Sequence, residues 1–173
     1  VGPVHEFLPG KIEDTSATNG FISGILATLM NENGAAMWIS PGRKVFPPAL
    51  AEFGVQPDRL IFVDVKNTKD VLWVMDEALK CCPLTAVIGE LQEMSFTESR
   101  RLQLAVEQSG VTGFILRSPC KLKTSACVSR WNITSLPSEP IDGLPGIGYP
   151  KWRVELLRVR KGRSGTCDGV FKN

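Results

Sequence analysis

Apolar residues along this chain follow two rhythms, and the change from one to the other divides it. Up to Leu116, short apolar runs alternate with stretches whose apolar positions recur three or four residues apart, the order expected of strands and helices in a parallel α/β sheet. After Gly20, the spacing of Phe21, Ile22, Ile25, Leu26, Leu29 and Met30 predicts a helix that Asn33-Gly34 stops. Ala35 to Ile39 is a continuous apolar run, as in a strand covered on both faces. Pro41-Gly42-Arg43-Lys44 turns the chain, and Pro48 to Phe53 opens a short helix with proline in its first turn.

The pattern then repeats. Leu60 to Val65 reads as a strand, and Asn67 or Thr68 caps a helix with the stripe Val71, Leu72, Val74, Met75, Ala78 and Leu79. Leu84 to Ile88 is the next strand, ending at Gly89-Glu90. Ser95 and Glu98 form a capping box before a helix that turns Leu102, Leu104, Ala105 and Val106 inward and Arg100 and Arg101 outward. Beyond Ser109-Gly110, Thr112 to Leu116 is a further buried strand. After Arg117 the helical rhythm stops. Ser, Pro and Gly cluster between Leu136 and Pro150, joining Trp131 to Thr134 with the strand-like run Trp152 to Val159, and short connections predict antiparallel pairing.

The 173 residues suit one domain, 1–173, able to bury roughly two-thirds of its unfolded surface. Its formal charge of +2 hides an asymmetry. Residues 1–116, the parallel core, hold 9 Lys/Arg against 14 Asp/Glu, whereas the strand-rich residues 117–173 hold 11 against 4. Such a basic part suits a nucleic acid, an acidic partner or solubility alone. The five cysteines (Cys81, Cys82, Cys120, Cys127, Cys167) include no C-x-x-C pair, and His5 is the single histidine. Buried thiols in a reducing cytoplasm, with no metal site, are the expectation. No run of about 18 apolar residues and no signal-peptide start is found, so membrane insertion and export are not supported.

Between Ile12 and Met30 the chain has the local order of a nucleotide-binding loop: a strand-like start, a turn, then an apolar helix. In the stretch Asn19-Gly20-Phe21-Ile22, however, Phe21 stands where a P-loop has lysine and Ile22 where it has Ser or Thr. Without the lysine to reach the phosphates and the hydroxyl to hold Mg²⁺, ATP hydrolysis and a bound cofactor are not expected. Glu90, after Gly89, lies near the end of a parallel strand, where α/β sheets place functional groups. No lysine or hydroxyl partner for it stands ready in the first loop, and a structural or partner-contact role is the commoner one. His5-Glu6 lacks a marked nucleophile, since no G-x-S-x-G occurs, and is expected to hydrogen-bond or pack at a domain edge. Arg153, Arg158, Arg160, Lys161 and Arg163 form a basic cluster; Arg158 and Arg160 share a side if extended, and could grip phosphates or acidic groups of a protein. Trp131 and Trp152 are either stacking platforms for single-stranded DNA or core.

These pieces together resemble the RecA-like proteins, and more closely the ImuA type, SulA/RecA-related accessory factors of SOS-induced error-prone repair. The resemblance is carried by His5-Glu6-Phe7 with Gly20-Phe21, by Trp38-Ile39, and by residues 50–60, which look like RecA's helix-to-strand segment. Val87 to Leu91, Arg100 to Leu104, Arg130-Trp131 and Trp152 to Gly162 extend it over almost the whole chain. It implies a RecA-like three-layer α/β core, a mostly parallel sheet with antiparallel carboxyl-terminal strands. It further implies that the ATPase site is lost, with Gly20 matching only the loop's glycine and Gly89 at the Walker-B aspartate position. The implied role is that of a non-catalytic adaptor for RecA and for an ImuB-type inactive Y-family polymerase relative, with direct binding of single-stranded DNA as an alternative. The chain starts close to His5, so the amino-terminal extension that RecA uses in subunit contacts is expected to be absent.

Overall fold

The computed structural model describes residues 2–30, 34–42, 45–118, 123–140, 146 and 148–172. Among these residues eight strands form one sheet: β1 (Val4–Pro9), β2 (Ala35–Ser40), β3 (Leu60–Asp64), β4 (Leu84–Leu91), β5 (Thr112–Arg117), β6 (Ser129–Glu139), β7 (Tyr149–Val159) and β8 (Gly165–Val170). Their spatial order is β3-β2-β4-β5-β1-β6-β7-β8. Pairings from β3 through to β6 are parallel, and β7 and β8 join antiparallel. The expected mixture is present, but β6 pairs in parallel with β1. The basic part therefore continues the sheet of the core.

Helices α1 (Thr15–Met30) and α2 (Pro47–Ala51) cover one face, and α3 (Thr68–Ala78) and α4 (Phe96–Ser109) the other. Because successive strand residues alternate sides, Ala86 and Ile88 of β4 join Ile22 and Leu26 of α1, while Val87 joins Val71 and Met75 of α3. Local signals for α3 and α4 hold in detail. Asn67 Oδ1 accepts the Asp70 N–H at 3.0 Å, Ser95 Oγ accepts the Glu98 N–H at 3.2 Å, and Glu98 Oε2 accepts the Ser95 N–H at 2.7 Å.

Several expectations are corrected. The first strand is not near Ile12, where the chain makes a 3-10 turn over Ile12–Asp14; it is β1, flanked by prolines and interrupted by His5 and Glu6. Helix α1 begins at Thr15, before Gly20, and β4 runs past Gly89-Glu90 to Leu91. Leu104 is 52 % exposed, pointing away from the core it was expected to join. Cys81, Cys82 and Cys167 are exposed, on the loop after α3 and on edge strand β8, and only Cys127 of the four described cysteines is buried. Strand β8, largely exposed, had no apolar alternation to announce it. Cys120, Asn33 of the helix stop and Arg43-Lys44 of the turn lie outside the described residues.

Candidate functional site: a closed loop, a buried carboxylate and a basic edge

Helix α1 leaves the carboxyl end of β1 and crosses β5 and β4 to reach β2. Open α/β sheets hold ligands at such ends, where backbone N–H groups face an incoming anion. Here the connection carries its own anion. Asp14 is 3 % exposed; its Oδ2 accepts the Lys11 N–H at 2.9 Å, and its Oδ1 accepts the Ser135 N–H at 2.8 Å and the Ser135 hydroxyl at 2.7 Å. Burial pushes the Asp14 carboxyl up, but the bonds from Ser135 and Lys11 outweigh it and hold the group below its ordinary value. The loop is thus tied to β6 by a carboxylate, and a phosphate entering it would meet a fixed negative charge. Gly10 permits the closure, since a Cβ there would lie 2.9 Å from Asp14 Oδ2.

Beside the loop is a crevice of about 300 Å³ between Ile12, Thr15, Asn19, Glu90, Leu116 and Arg117. Glu90 accepts the Trp38 indole N–H at 2.9 Å, and Asn19 Oδ1 is buried with no hydrogen-bond partner among the described residues. Arg117 turns away from the crevice toward Glu6 and the Gln92 carbonyl.

The remaining loop residues are not in a loop at all. Residues 19–22 form an early turn of α1. Gly20 is there because aromatic rings crowd it: a Cβ would lie 2.8 Å from Phe53 Cζ and 3.1 Å from Trp152 Cζ2. Phe21, half-buried, packs edge-on against Trp152, ring centroids 5.9 Å apart, and near Phe7 at 6.3 Å, so its ring lies against the core. Ile22 is fully buried. Gly89 faces α3, where a Cβ would come within 2.6 Å of Met75 Sδ. An acidic side chain at 89 would clash with the helix and point away from the crevice; the acidic group facing that crevice is Glu90.

Glu6 was expected at a domain edge and lies at the centre of the sheet, 1 % exposed. Its Oε1 accepts Arg117 Nη1 at 2.8 Å; its Oε2 accepts Arg130 Nε at 2.8 Å and the Ser125 hydroxyl at 2.9 Å. Cys127, close by, has its thiol pushed up to about 11 by burial and then by the Glu6 charge. His5 points to the opposite face, stacked on Phe114 at 5.8 Å with Nδ1 2.6 Å from Ser129 Oγ, and burial lowers its pKa. Asp14 and Glu6 went unnoticed as organising residues. For Asp14 a signal existed: acidic residues after Pro9-Gly10 mark the first turn of a helix. For Glu6 the partners are remote in sequence.

The basic cluster divides. Arg153 pairs through Nε and Nη2 with both oxygens of Asp168 at 2.9 and 3.1 Å, joining β7 to β8. Arg130 pairs with Arg158 and Trp131 with Leu156, which leaves Leu157 as an extra residue and turns Arg158 to the α4 face. Arg158 Nη1 donates to the Ser125 carbonyl at 2.8 Å and Arg160 Nη2 to the Ala126 carbonyl at 2.9 Å. Lys161 and Arg163 are exposed at the β7–β8 turn. Trp152 is core, and half-buried Trp131 donates its indole N–H to Ser129. No helix among the described residues is long and apolar enough to cross a membrane.

This is the fold of SulA-like α/β proteins: the crystal structure of SulA from Pseudomonas aeruginosa superimposes with a TM-score of 0.57 at 18 % identity, covering 67 % of this chain and 98 % of that one. The sequence narrows the assignment, being 33 % identical over 178 residues to Protein ImuA of Caulobacter vibrioides (strain NA1000 / CB15N), across 95 % of this chain and 73 % of that protein. The chain belongs to the ImuA family. It is also 27 % identical over 122 residues to the cell division inhibitor SulA of Photorhabdus laumondii, across 68 % of this chain and 69 % of that protein. No protein-family model matches the chain.

Two measurements check the geometry. Glu6→Gln leaves Arg117 and Arg130 buried without their countercharge, and urea titration should show a loss of about 3–5 kcal/mol; an unchanged midpoint contradicts the buried network. His5 is the single histidine, and its depressed pKa means that the unfolded chain binds more protons between the folded value and about 6.5. Stability is therefore fully present above about 6.5 and declines as pH falls below it, so the urea midpoint should drop between about pH 7.5 and 5.5. In His5→Gln that slope should flatten; the same slope in both proteins would refute the assignment.

Proposed function

We propose that this chain is a non-catalytic adaptor in the SOS response to DNA damage. It acts in error-prone translesion repair in the cytoplasm and joins RecA, an ImuB-type inactive Y-family polymerase relative, or both. The observation that carries the reading is the occupied loop after β1. In a RecA-type ATPase this junction grips phosphate, whereas here a buried carboxylate, Asp14, takes the Lys11 N–H of the loop and ties the loop to Ser135 of β6. Membership of the ImuA family and similarity to SulA supply the cellular setting. What survives is a rigid sheet with a basic carboxyl-terminal edge, a surface suited to a partner.

A plain single-stranded-DNA-binding module is the second reading, favoured by exposed Lys161 and Arg163. Against it, Arg153 is matched by Asp168. A divergent ATPase built on Glu90 has less support, because that carboxylate is held by the Trp38 indole.

Size-exclusion co-elution of the purified chain with RecA and with an ImuB-type protein at micromolar concentration tests the proposal. The adaptor reading expects a stable complex with at least one, and charge reversal at Arg160, Lys161 and Arg163 together should weaken it about ten-fold or more. Absence of any complex, alongside DNA binding whose affinity falls steeply with salt, would transfer the function to the second reading.

A further inference from the structure

We infer that the groove between α4 and the end of β7 is a docking site for a short acidic segment of a partner protein, anchored by an apolar side chain. The inference rests on the adaptor reading and names the surface through which that adaptor works. Its two walls differ in chemistry. On α4, Phe96, Arg100 and Leu104 succeed one another at a spacing of four, so they form one stripe. Phe96 is 48 % and Leu104 52 % exposed, an apolar pair that the sheet does not cover. Across the groove stand Arg158 and Arg160, and the floor is Gln103, Ser125 and Ala126.

The guanidinium groups are pre-aimed. Arg158 and Arg160 each donate one N–H to a floor carbonyl, at 2.8 and 2.9 Å, which fixes their planes without neutralising their charge. The floor segment is itself fixed, since the Ala126 N–H donates to Ser99 Oγ at 2.9 Å and the Ser125 hydroxyl to Glu6 at 2.9 Å. Three arginines thus surround two exposed apolar side chains. That combination matches a carboxylate-bearing segment with an aliphatic or aromatic anchor, with bidentate pairs at the rim and apolar burial at the centre. A nucleic-acid strand fits less well, because Leu104 beside the arginines offers an aliphatic anchor site and no stacking surface.

The test uses the full chain. A library of random peptides about a dozen residues long, displayed on phage, is panned against the purified protein, and the selected peptides are synthesised, labelled and measured by fluorescence anisotropy. Arg100→Glu and Leu104→Lys are the informative variants, because both side chains are exposed on α4 and circular dichroism can verify an unchanged fold. The expected result is enrichment of Asp and Glu around one large apolar residue, with affinity falling about ten-fold in each variant and weakening as salt rises. No enrichment, or selected peptides that bind both variants as well as the parent, would overturn the assignment. So would a labelled oligothymidine that displaces the peptides and is weakened by Arg100→Glu but not by Leu104→Lys. Co-elution separates the two claims: variants that still form the complex with RecA or the ImuB-type protein sink the groove and leave the adaptor standing, whereas a parent chain that binds neither protein sinks the adaptor.

Discussion

A single buried carboxylate ties three neighbouring parallel strands, β5, β1 and β6, to one another and to the segment that enters β6. Glu6 on β1 receives Arg117 from the end of β5, Arg130 from β6, and Ser125 from the segment before β6. Each guanidinium has further work: Arg117 Nε donates to the Gln92 carbonyl after β4, and Arg130 Nη2 to the Lys123 carbonyl and Ser125 hydroxyl. Such a network is weak evidence of extra stability, since desolvating the charges is costly. Its value is positional. With Ser125 and Ala126 fixed, Arg158 and Arg160 have carbonyls to hold, and the α4 groove acquires its basic wall.

A second buried carboxylate, Asp14, closes the connection that follows β1. A phosphate-binding loop leaves its N–H groups unpaired until ligand arrives, which costs stability in the empty state. Asp14 lowers that cost at one position, by accepting the Lys11 N–H, and through Ser135 it bridges the β1–α1 connection to β6. Glu90 remains in the crevice but is bound to Trp38, so the acidic group nearest the strand ends also serves the fold.

Legibility followed the range of the interactions. Ser95 and Glu98 lie three residues apart, and Asn67 caps its own helix, so both signals were readable and both hold. Gly20 misled because glycine usually marks a turn, whereas here it makes room for Phe53 and Trp152, residues brought near only by folding. Strand β1 was hidden by the residues that make it central, His5 and Glu6, which break the apolar run. Leu104 has helical spacing and no core to face, and it is consequently among the exposed residues of the groove. The basic cluster was visible as composition, but which arginines are matched by a carboxylate depended on the β7 bulge and on Asp168.

The central claim, that the loop after β1 is occupied by the protein's own carboxylate, is tested most directly by hydrogen exchange and thermal melting with saturating ATP–Mg²⁺. Exchange of the amides of residues 10–15 should be unchanged, and so should the melting temperature. A ligand present at ~100 times its Kd would stabilise the fold by roughly 2.7 kcal/mol. A shift of that size, with new protection at Gly10 to Thr15, would contradict it.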